Sequence, residues 1–432
     1  MSYAQISQAD LASEILQSLN DPGAVYWSTA EVNSAINEAL LTWGAITSYW
    51  RDRGQFPSAA NTPFYDLSVQ LPLLRSRTFT FDDLVTEIQY HLNEDPTGFA
   101  FTSQTSQFTS TQILSALSRA ANEFNLDSKC GLTQASTPGI STARTSLASS
   151  VVAIARASWT DSTTGVTRAL RREDAWSEDS YNPIWTLSPG LPFAFSAAET
   201  PLITVNLYPP PINVGALNLI YADSEDYSAA TGSTVFPVPN EFIPAIKWRA
   251  IYSLLATQGQ GYDPFRAKYC AERYDSFDRM SELMRSVIRV QVNGVPVPLD
   301  TIAALDSARP FWQNKTGTPT MAACLYDIVA LSDVPKNASL AISCDLVRSA
   351  PLPALSTDYI QVGREELPYI LDMARHILCF KLGGEEFQTT FALYDNFLQG
   401  AMQRNSILNS QARYLKDLFG VPARQEAEVA AA

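Results

Sequence analysis

Internal repetition limits the folds open to this chain more than any single residue does. From Trp185 to about Arg285 the order is an apolar β-rich stretch, a proline turn, a helix, a short break and an aromatic helix, and this order returns from Trp312 to about Arg404. The matched pieces are Asn240-Glu241-Phe242-Ile243-Pro244 with Arg364-Glu365-Glu366-Leu367-Pro368, Tyr274-Asp275-Ser276-Phe277 with Tyr394-Asp395-Asn396-Phe397, and Pro211 and Asn213 with Pro335 and Asn337. A chain duplicated in this way favours a scaffold of packing surfaces over a single catalytic centre.

A second repeat lies in the first third of the chain, which the sequence predicts to be helical. Ser28-Thr29-Ala30-Glu31 has the pattern of a capping box, and Thr109-Ser110-Thr111-Gln112 repeats it. Each precedes apolar residues at helical spacing, which are Val32, Ile36, Ala39, Leu40 and Trp43 in one case and Ile113, Leu117, Ala120, Ala121 and Phe124 in the other. A further helix is predicted to start at Thr80.

The middle of the chain is predicted to be rich in β-strands. The Ser, Thr, Gly and Pro content of residues 134–145 indicates a linker. Strands are expected at 151–155 and 202–208, and Pro209-Pro210-Pro211 ends the second because proline cannot donate to a sheet. Residues 217–221 are predicted to be its hairpin partner.

These patterns predict an α+β fold, mainly α, with a helical bundle core, a β-rich insertion and a duplicated β-plus-α-hairpin unit. The predicted domains are an N-terminal helical region with the repeated capped helix (1–133), a β-rich insertion followed by an α-hairpin (134–290), a second β-plus-α-hairpin unit (291–404), and a C-terminal helix and tail (405–432).

Composition narrows the classes of partner. The 44 acidic and 30 basic residues give a formal charge of -14. This balance argues against a conventional nucleic-acid-binding surface, yet an acidic wall would let DNA slide past without sticking. Five cysteines without C-x-x-C spacing predict buried reduced thiols rather than a zinc or redox motif. Neither a signal peptide nor an apolar run of membrane-spanning length is expected, so the predicted site of synthesis is a reducing cytoplasm.

Few residues have the types and spacing of a catalytic, metal-binding or phosphate-binding site. His376 and Cys379 share a helical face, but their apolar neighbours favour a packed helix over a nucleophilic pair, and His91 lacks partners at metal-ligand spacing. The acid pairs Asp82-Asp83, Glu365-Glu366 and Glu385-Glu386 stand at predicted helix starts, where carboxylates stabilise free N–H groups. The basic clusters Arg75-Ser76-Arg77 and Arg171-Arg172 favour solvent or a subunit interface over phosphate. No catalytic residue, cofactor or metal site is predicted.

Several of these segments together resemble bacteriophage head-to-tail adaptor, or connector, proteins. The resemblance rests on the capped helix from Tyr26-Trp27-Ser28 to Ile36-Asn37-Glu38-Ala39, the strand ending in Tyr208-Pro209-Pro210-Pro211, the helix opened by Phe236-Pro237-Val238-Pro239-Asn240-Glu241-Phe242, and the aromatic helix around Tyr274 and Phe277. It covers roughly residues 2–285. The chain departs from the family pattern by a second helix-and-loop block after Trp43 and by a second strand-plus-hairpin unit after Arg285.

The resemblance implies a structural virion protein of the neck, made in the cytoplasm of a host bacterium. It implies a homo-oligomeric ring of about twelve copies between the portal protein and a tail or nozzle protein, with DNA passing through the lumen without specific binding. Another phage tail component, such as a tail-tube or hub protein, is the first alternative. An enzyme acting on cell-wall or nucleic-acid polymers is the second.

A partner-binding segment is predicted after Arg404. The repeat does not need this segment for its own core, and its apolar side chains would be exposed on a lone monomer, as contact surfaces commonly are. The candidate contact residues are Leu408, Tyr414, Leu415, Leu418 and Phe419.

Overall fold

The structure is a computed structural model that describes residues 5–94, 107–128, 131–181, 183–198, 202–223, 231–236, 238–259, 261–283 and 287–418. Within them, the side chains at 110, 178, 179, 181, 278–283 and 406–418 are not described.

Helices occupy both ends of the chain and two stretches of its middle. Their bounds are α1 (Gln8–Ser18), α2 (Thr29–Thr47), α3 (Leu67–Gln70), α4 (Phe81–His91), α5 (Ser110–Ser128), α6 (Ala175–Tyr181), α7 (Ile243–Leu255), α8 (Pro264–Leu283), α9 (Ile302–Ala308), α10 (Leu367–Cys379), α11 (Gly384–Gln388) and α12 (Phe391–Leu418).

Strands lie between the helices. Their bounds are β1 (Arg51–Pro57), β2 (Phe64–Asp66), β3 (Leu132–Ile140), β4 (Arg144–Ser146), β5 (Val151–Asp161), β6 (Thr167–Arg172), β7 (Ala194–Ala197), β8 (Thr204–Tyr208), β9 (Gly215–Asp223), β10 (Val287–Val292), β11 (Val295–Val297), β12 (Leu299–Thr301), β13 (Thr316–Gly317), β14 (Met321–Leu325), β15 (Ile328–Ser332), β16 (Val334–Pro335) and β17 (Ala341–Val347).

The predicted fold class is wrong, because sheets are central to this fold and not an insertion into a helical bundle. About 40% of the structure is helical and 27% is strand, and one curled sheet contains seven strands in the order β3-β9-β5-β6-β7-β8-β4. Its inner face carries a core of its own, with Trp159, Leu207 and Leu217 at or below 1% exposure. A domain with such a core is organised by strand pairing as much as by helix packing.

The chain divides into two compact units. The terminal unit contains the chain up to Tyr49 and from Ala350 onward, and the central unit is Trp50–Ser349. In the terminal unit, α10 packs against α2 and α12, and α1 packs against α2. The central unit contains all of the strands and its own helical set, in which α7 packs against α5 and α8, and α4 against α5 and α7.

The capped helices begin where predicted, although the Glu31 carboxylate, predicted to close the box at Ser28, accepts from Lys381 Nζ at 3.0 Å. The N–H of Glu31 donates to Ser28 Oγ at 3.2 Å, and Thr109 and Gln112 make both bonds of a capping box. Thr80 and Asp83 do the same at the start of α4. All ten residues of the two predicted apolar stripes are buried, since residues three and four apart share one helix face. The predicted acid pairs also stand at helix starts, in the first turns of α4 and α11 and at the N-cap of α10.

Two strand predictions are wrong. Residues 134–145, predicted to be a linker, contribute most of β3 and part of β4, and β3 pairs antiparallel with β9 along the edge of the large sheet. Strand β9 is not the hairpin partner of β8, because its neighbours are β3 and β5, while β8 pairs with β7 and β4. Both errors concern pairings between distant parts of the chain, which local composition does not specify.

The sheets show that one fold occurs twice, with one copy nested inside the other. The remaining strands follow the orders β1-β17-β10-β11 and β12-β14-β15-β2. Placed end to end, these orders match β3-β9-β5-β6-β7-β8-β4 position by position, with β11 and β12 together in the place of β6. Each matched pair also has the same direction: β6 with β7 and β12 with β14 are parallel, and the other matched pairings are antiparallel.

We call residues 80–283 the inner copy, and the flanking segments, 7–70 and 287–404, the outer copy. In the outer copy the helices α1, α2, α10 and α12 correspond in chain order to α4, α5, α7 and α8 of the inner copy. Their packing corresponds as well, since α2 contacts α10 and α12, as α5 contacts α7 and α8. The chain therefore contains two versions of one sheet, each accompanied along the chain by four helices in the same order.

A cross-strand charge ladder on the outer-copy sheet gives a pH-dependent prediction. Asp345 on β17 lies 2.6 Å from both Arg53 Nε on β1 and Arg289 Nη2 on β10. Burial raises the pKa of Asp345, but these guanidinium groups lower it by more, so the net shift is downward. Asp345→Asn is expected to lower the free energy of unfolding by about 0.5–1 kcal/mol at neutral pH.

The downward shift of the Asp345 pKa sets the pH range in which its ion pairs stabilise the fold. A depressed carboxylate pKa contributes its stability above the unfolded value of about 4, and loses it as the pH falls through the folded pKa. The gap between wild type and Asp345→Asn in urea unfolding should therefore close below about pH 4. Asp52→Asn is the control, because Asp52 is more exposed and lies 3.5 Å from Arg348. An equal loss of unfolding free energy in this variant would contradict the stabilising role of the Asp345 ion pairs.

Candidate assembly interface

The residues closest in type to a catalytic pair are packed in the helical core of the terminal unit. His376 is fully buried, its Nδ1 lies 2.8 Å from Thr390 Oγ1, and its ring stacks on Phe387 and Tyr394. Burial raises the pKa of Cys379 to about 11, so its thiol stays protonated at neutral pH and is a poor nucleophile. The predicted packed helix is thus confirmed. His91 lies beside Trp248 in the other helical set, with ring centroids 4.9 Å apart.

Arg75, in the basic cluster Arg75-Ser76-Arg77, is buried within the central unit, contrary to the prediction of a solvent or subunit-interface position. Arg75 is 1% exposed, with Nε 2.8 Å from Asp327 and Nη1 2.7 Å from Glu241. Burial lowers the pKa of Arg75, but the two carboxylates raise it by more, so the group stays charged. Because Glu241 belongs to the inner copy and Asp327 to the outer copy, this ion triad joins the two copies where the chain passes between them.

The two copies also meet through a short segment that we call the outer Pro-X-Trp segment, residues 302–314. It consists of α9 and the following 3₁₀ turn, which begins at Trp312. Trp312 is 3% exposed, and its indole N–H donates to Asp306 at 2.8 Å. Asp306 also accepts two bonds from the Arg156 guanidinium of β5, at 2.6 and 2.9 Å. A bidentate, largely buried pair of this kind fixes orientation as well as contact.

Strand β6 of the inner copy completes the docking site for this segment. The N–H of Ala169 donates to Pro310 O at 3.0 Å. Asn314 accepts from the N–H of Thr167 and donates to its carbonyl, both at 2.6 Å. The Arg168 guanidinium lies 5.2 Å from the centre of the Phe311 ring, which is cation–π distance. The outer Pro-X-Trp segment is therefore held on β5 and β6 by polar, charged and aromatic contacts together.

The same segment occurs in the inner copy but lies open. We call residues 175–187 the inner Pro-X-Trp segment, since Pro183-Ile184-Trp185 corresponds to Pro310-Phe311-Trp312 at a constant offset. Its tryptophan, Trp185, is likewise buried, at 5% exposure. Around it, Trp176, Ile184 and Leu187 are 81%, 60% and 77% exposed. Three large apolar side chains so exposed on one short segment are typical of a contact surface.

The sequence contained a signal for this surface that sequence reasoning did not use. Trp185 and Trp312 mark the starts of the repeated units, but the Pro-X-Trp motif around them was not singled out. The predicted contact residues lie elsewhere: Leu408, Tyr414, Leu415 and Leu418 belong to the backbone of α12, while their side chains, and Phe419 entirely, lie outside the described residues. Their role in partner binding stays a prediction.

In the described part of the chain, no group of three or more His, Cys, Asp or Glu side chains is arranged to hold a metal ion. Within the same ranges, no helix has the length and apolar character needed to cross a membrane.

Comparison with protein-family models gives a match over the middle of the chain. A family described as "SU10 adaptor protein" matches residues 79–319, which is more than half of the chain. A comparison with curated proteins found no match. The matched range contains the complete inner copy, from the cap of α4 to the end of α8, together with the outer Pro-X-Trp segment. On this match the chain belongs to the SU10 adaptor protein family.

Proposed function

We propose that this chain is a structural protein of the tailed-phage neck, which forms a ring between the portal protein and the tail and surrounds the DNA exit path. The observation that carries the proposal is the family match, because it spans one entire copy of the duplicated fold. The exposed inner Pro-X-Trp segment supports it, since a scaffold protein needs surfaces for neighbours. The buried setting of His376 and the raised pKa of Cys379 argue against a nucleophilic role for this pair.

A phage with a nonsense mutation in this gene tests the proposal. The expected product in a non-suppressing host is packaged capsids without tails, which lack density beneath the portal in electron micrographs. Supplying the chain in trans should restore tails. Capsids that carry a complete neck but an incomplete tail would instead support the alternative of a tail-tube or hub component. Infectious particles without the chain would contradict both structural roles.

The acidic balance of the chain predicts weak DNA binding. An excess of 14 negative charges opposes the phosphate contacts on which non-specific affinity depends. The purified protein should bind duplex DNA with a Kd no better than about 10⁻⁴ to 10⁻⁶ M at physiological salt. Fluorescence anisotropy with a labelled duplex measures this, and a basic protein of similar mass serves as the positive control. Submicromolar binding under these conditions would contradict the proposed DNA path.

The segment after Arg404 is proposed to be an assembly element. Arg404 itself, which is partly exposed, contacts other parts of the terminal unit, since its Nε lies 3.3 Å from Glu366 and its guanidinium 5.2 Å from the centre of the Tyr49 ring. Deleting residues 405–432 leaves these contacts in place. The shortened chain should therefore fold and remain soluble, yet fail to join the portal or its neighbours. Circular dichroism checks the fold, and complementation of the nonsense phage checks assembly. Full rescue by the shortened chain would show that the segment is dispensable.

A further inference from the structure

Strands β5 and β6 of the inner copy, which bind the outer Pro-X-Trp segment, have counterparts in the outer copy. The matching strands are β10 and β11. In β5, Arg156 follows a register shift that begins after Ile154, and in β10, Arg289 follows one that begins after Val287. A bulge at the same place in both strands is a deliberate structural feature that re-aims a side chain. Arg289 therefore occupies the position of Arg156.

Pairing registers extend the correspondence to the next strand. Three residues after each arginine come Trp159 and Val292, which pair with Arg168 on β6 and Val295 on β11. Val295 thus occupies the position of Arg168. It is 64% exposed, and Ile288 in the bulge of β10 is 46% exposed. The outer copy therefore presents the receiving surface with apolar side chains uncovered.

The open segment and the open strands are complementary in chemistry. In the contact within the chain, Phe311 meets Arg168, and Asn314 bonds to Thr167. In the inner Pro-X-Trp segment the corresponding residues are Ile184 and Leu187, both apolar, and the corresponding receiver is the apolar Val295. The segment is thus more apolar in the inner copy, and the strand position that would receive it is more apolar in the outer copy. Pro296 stands at the position of Ala169 and has no N–H to donate. A contact between the inner Pro-X-Trp segment and β10 and β11 would therefore depend on apolar burial instead of that hydrogen bond.

We propose that the inner Pro-X-Trp segment of one chain docks onto β10 and β11 of a second copy of this chain. The contact repeats between chains the one that the outer Pro-X-Trp segment makes with β5 and β6 within a chain. A head-to-tail contact of this kind generates a ring when its rotation closes. Each ring then contains two adaptor folds for every chain. This inference rests on the proposed neck role and supplies the contact by which its ring closes.

Directed cross-linking in assembled particles tests the contact. Leu187→Cys and Val295→Cys are placed on separate, differently tagged chains, which are co-expressed in the nonsense-phage background and treated with a short bis-maleimide. The expected product is a dimer that contains one chain of each type. Particles with only one of the two variants, and particles with the wild-type chain, control for the native cysteines. Cross-links from Leu187→Cys to a different virion protein would overturn the inference and leave the neck role standing.

A substitution provides a second test that does not depend on cross-linker reach. Leu187→Arg should leave thermal unfolding unchanged, because the side chain is 77% exposed, but should reduce the yield of tailed particles at least tenfold. Leu73→Arg, at a leucine that is 89% exposed, is the matched control and should retain assembly. Normal rings with Leu187→Arg would overturn the inference alone. Absence of the wild-type chain from the neck would overturn the proposed function, and the inference with it.

Discussion

Replacing Arg75 with alanine is expected to destabilise the central unit by about 3–5 kcal/mol. The substitution leaves the carboxylates of Asp327 and Glu241, both at most 3% exposed, without their shared cation. It also removes the donor to the carbonyl of Val347, which lies 3.1 Å from Arg75 Nη1. An uncompensated buried charge costs much more than the intact pair contributes, and this asymmetry produces the large effect. Urea unfolding followed by circular dichroism measures it.

Two variants separate the charge effect from lost packing. Arg53→Ala breaks an ion pair to Asp345 at a side chain that is 53% exposed, and should lower the free energy of unfolding much less than Arg75→Ala does, because solvent screens the pair. Adding Asp327→Asn to Arg75→Ala should recover part of the lost stability, because Asp327 then keeps only the more distant Arg77, at 3.6 Å, and its substitution removes one buried charge. If the double variant is less stable than Arg75→Ala alone, the buried-charge explanation is wrong.

Trp43→Ala should destabilise the terminal unit by about 3–5 kcal/mol. The indole is fully buried, stacks on Tyr369 at a centroid distance of 5.9 Å and meets Phe397 edge-on at 5.7 Å. Because α2, α10 and α12 all contribute to this aromatic cluster, the cavity would lie where the three helices meet. Closely packed interiors relax only partly around such a cavity, which adds to the lost transfer free energy.

Trp176→Ala is the matched control for this prediction. Trp176 is 81% exposed, so its removal should change the unfolding free energy by less than about 0.5 kcal/mol. Urea unfolding by far-UV circular dichroism suits both variants, since the terminal unit that holds Trp43 and the central unit that holds Trp176 both contain helices. Equal losses of unfolding free energy in Trp43→Ala and Trp176→Ala would mean that burial does not determine how much each tryptophan contributes to stability.

Helices and their caps were predictable because their determinants are local. The apolar stripe that ends at Trp43 and the one that ends at Phe124 follow a 3.6-residue period. Thr80 and Thr109 stand three residues before the acid or amide that completes each capping box. The family resemblance likewise rested on short motifs in a fixed order, and the family match bears it out.

The errors lie where the decisive partner is far away in the chain. The Ser and Thr residues of 134–145 have the composition of a linker, and they become a strand only because β9 offers an antiparallel edge. The cluster around Arg75 has the composition of a solvated surface, but Glu241 and Asp327 bury it. Neither partner can be inferred from local composition.

The sequence by itself determined the repeats, the capped helices and the family, since each is encoded in residues close together in the chain. Only the tertiary structure decided that one copy of the fold lies inside the other, because strand order depends on pairings such as β1 with β17 that span most of the chain. The tertiary structure also decided that the outer Pro-X-Trp segment is docked on β5 and β6, with Phe311 still 43% exposed, while Ile184 and Leu187 of the inner one are 60% and 77% exposed. The physical reason is that burial is a property of what packs against a segment, and Arg156 is brought to Asp306 only by the fold.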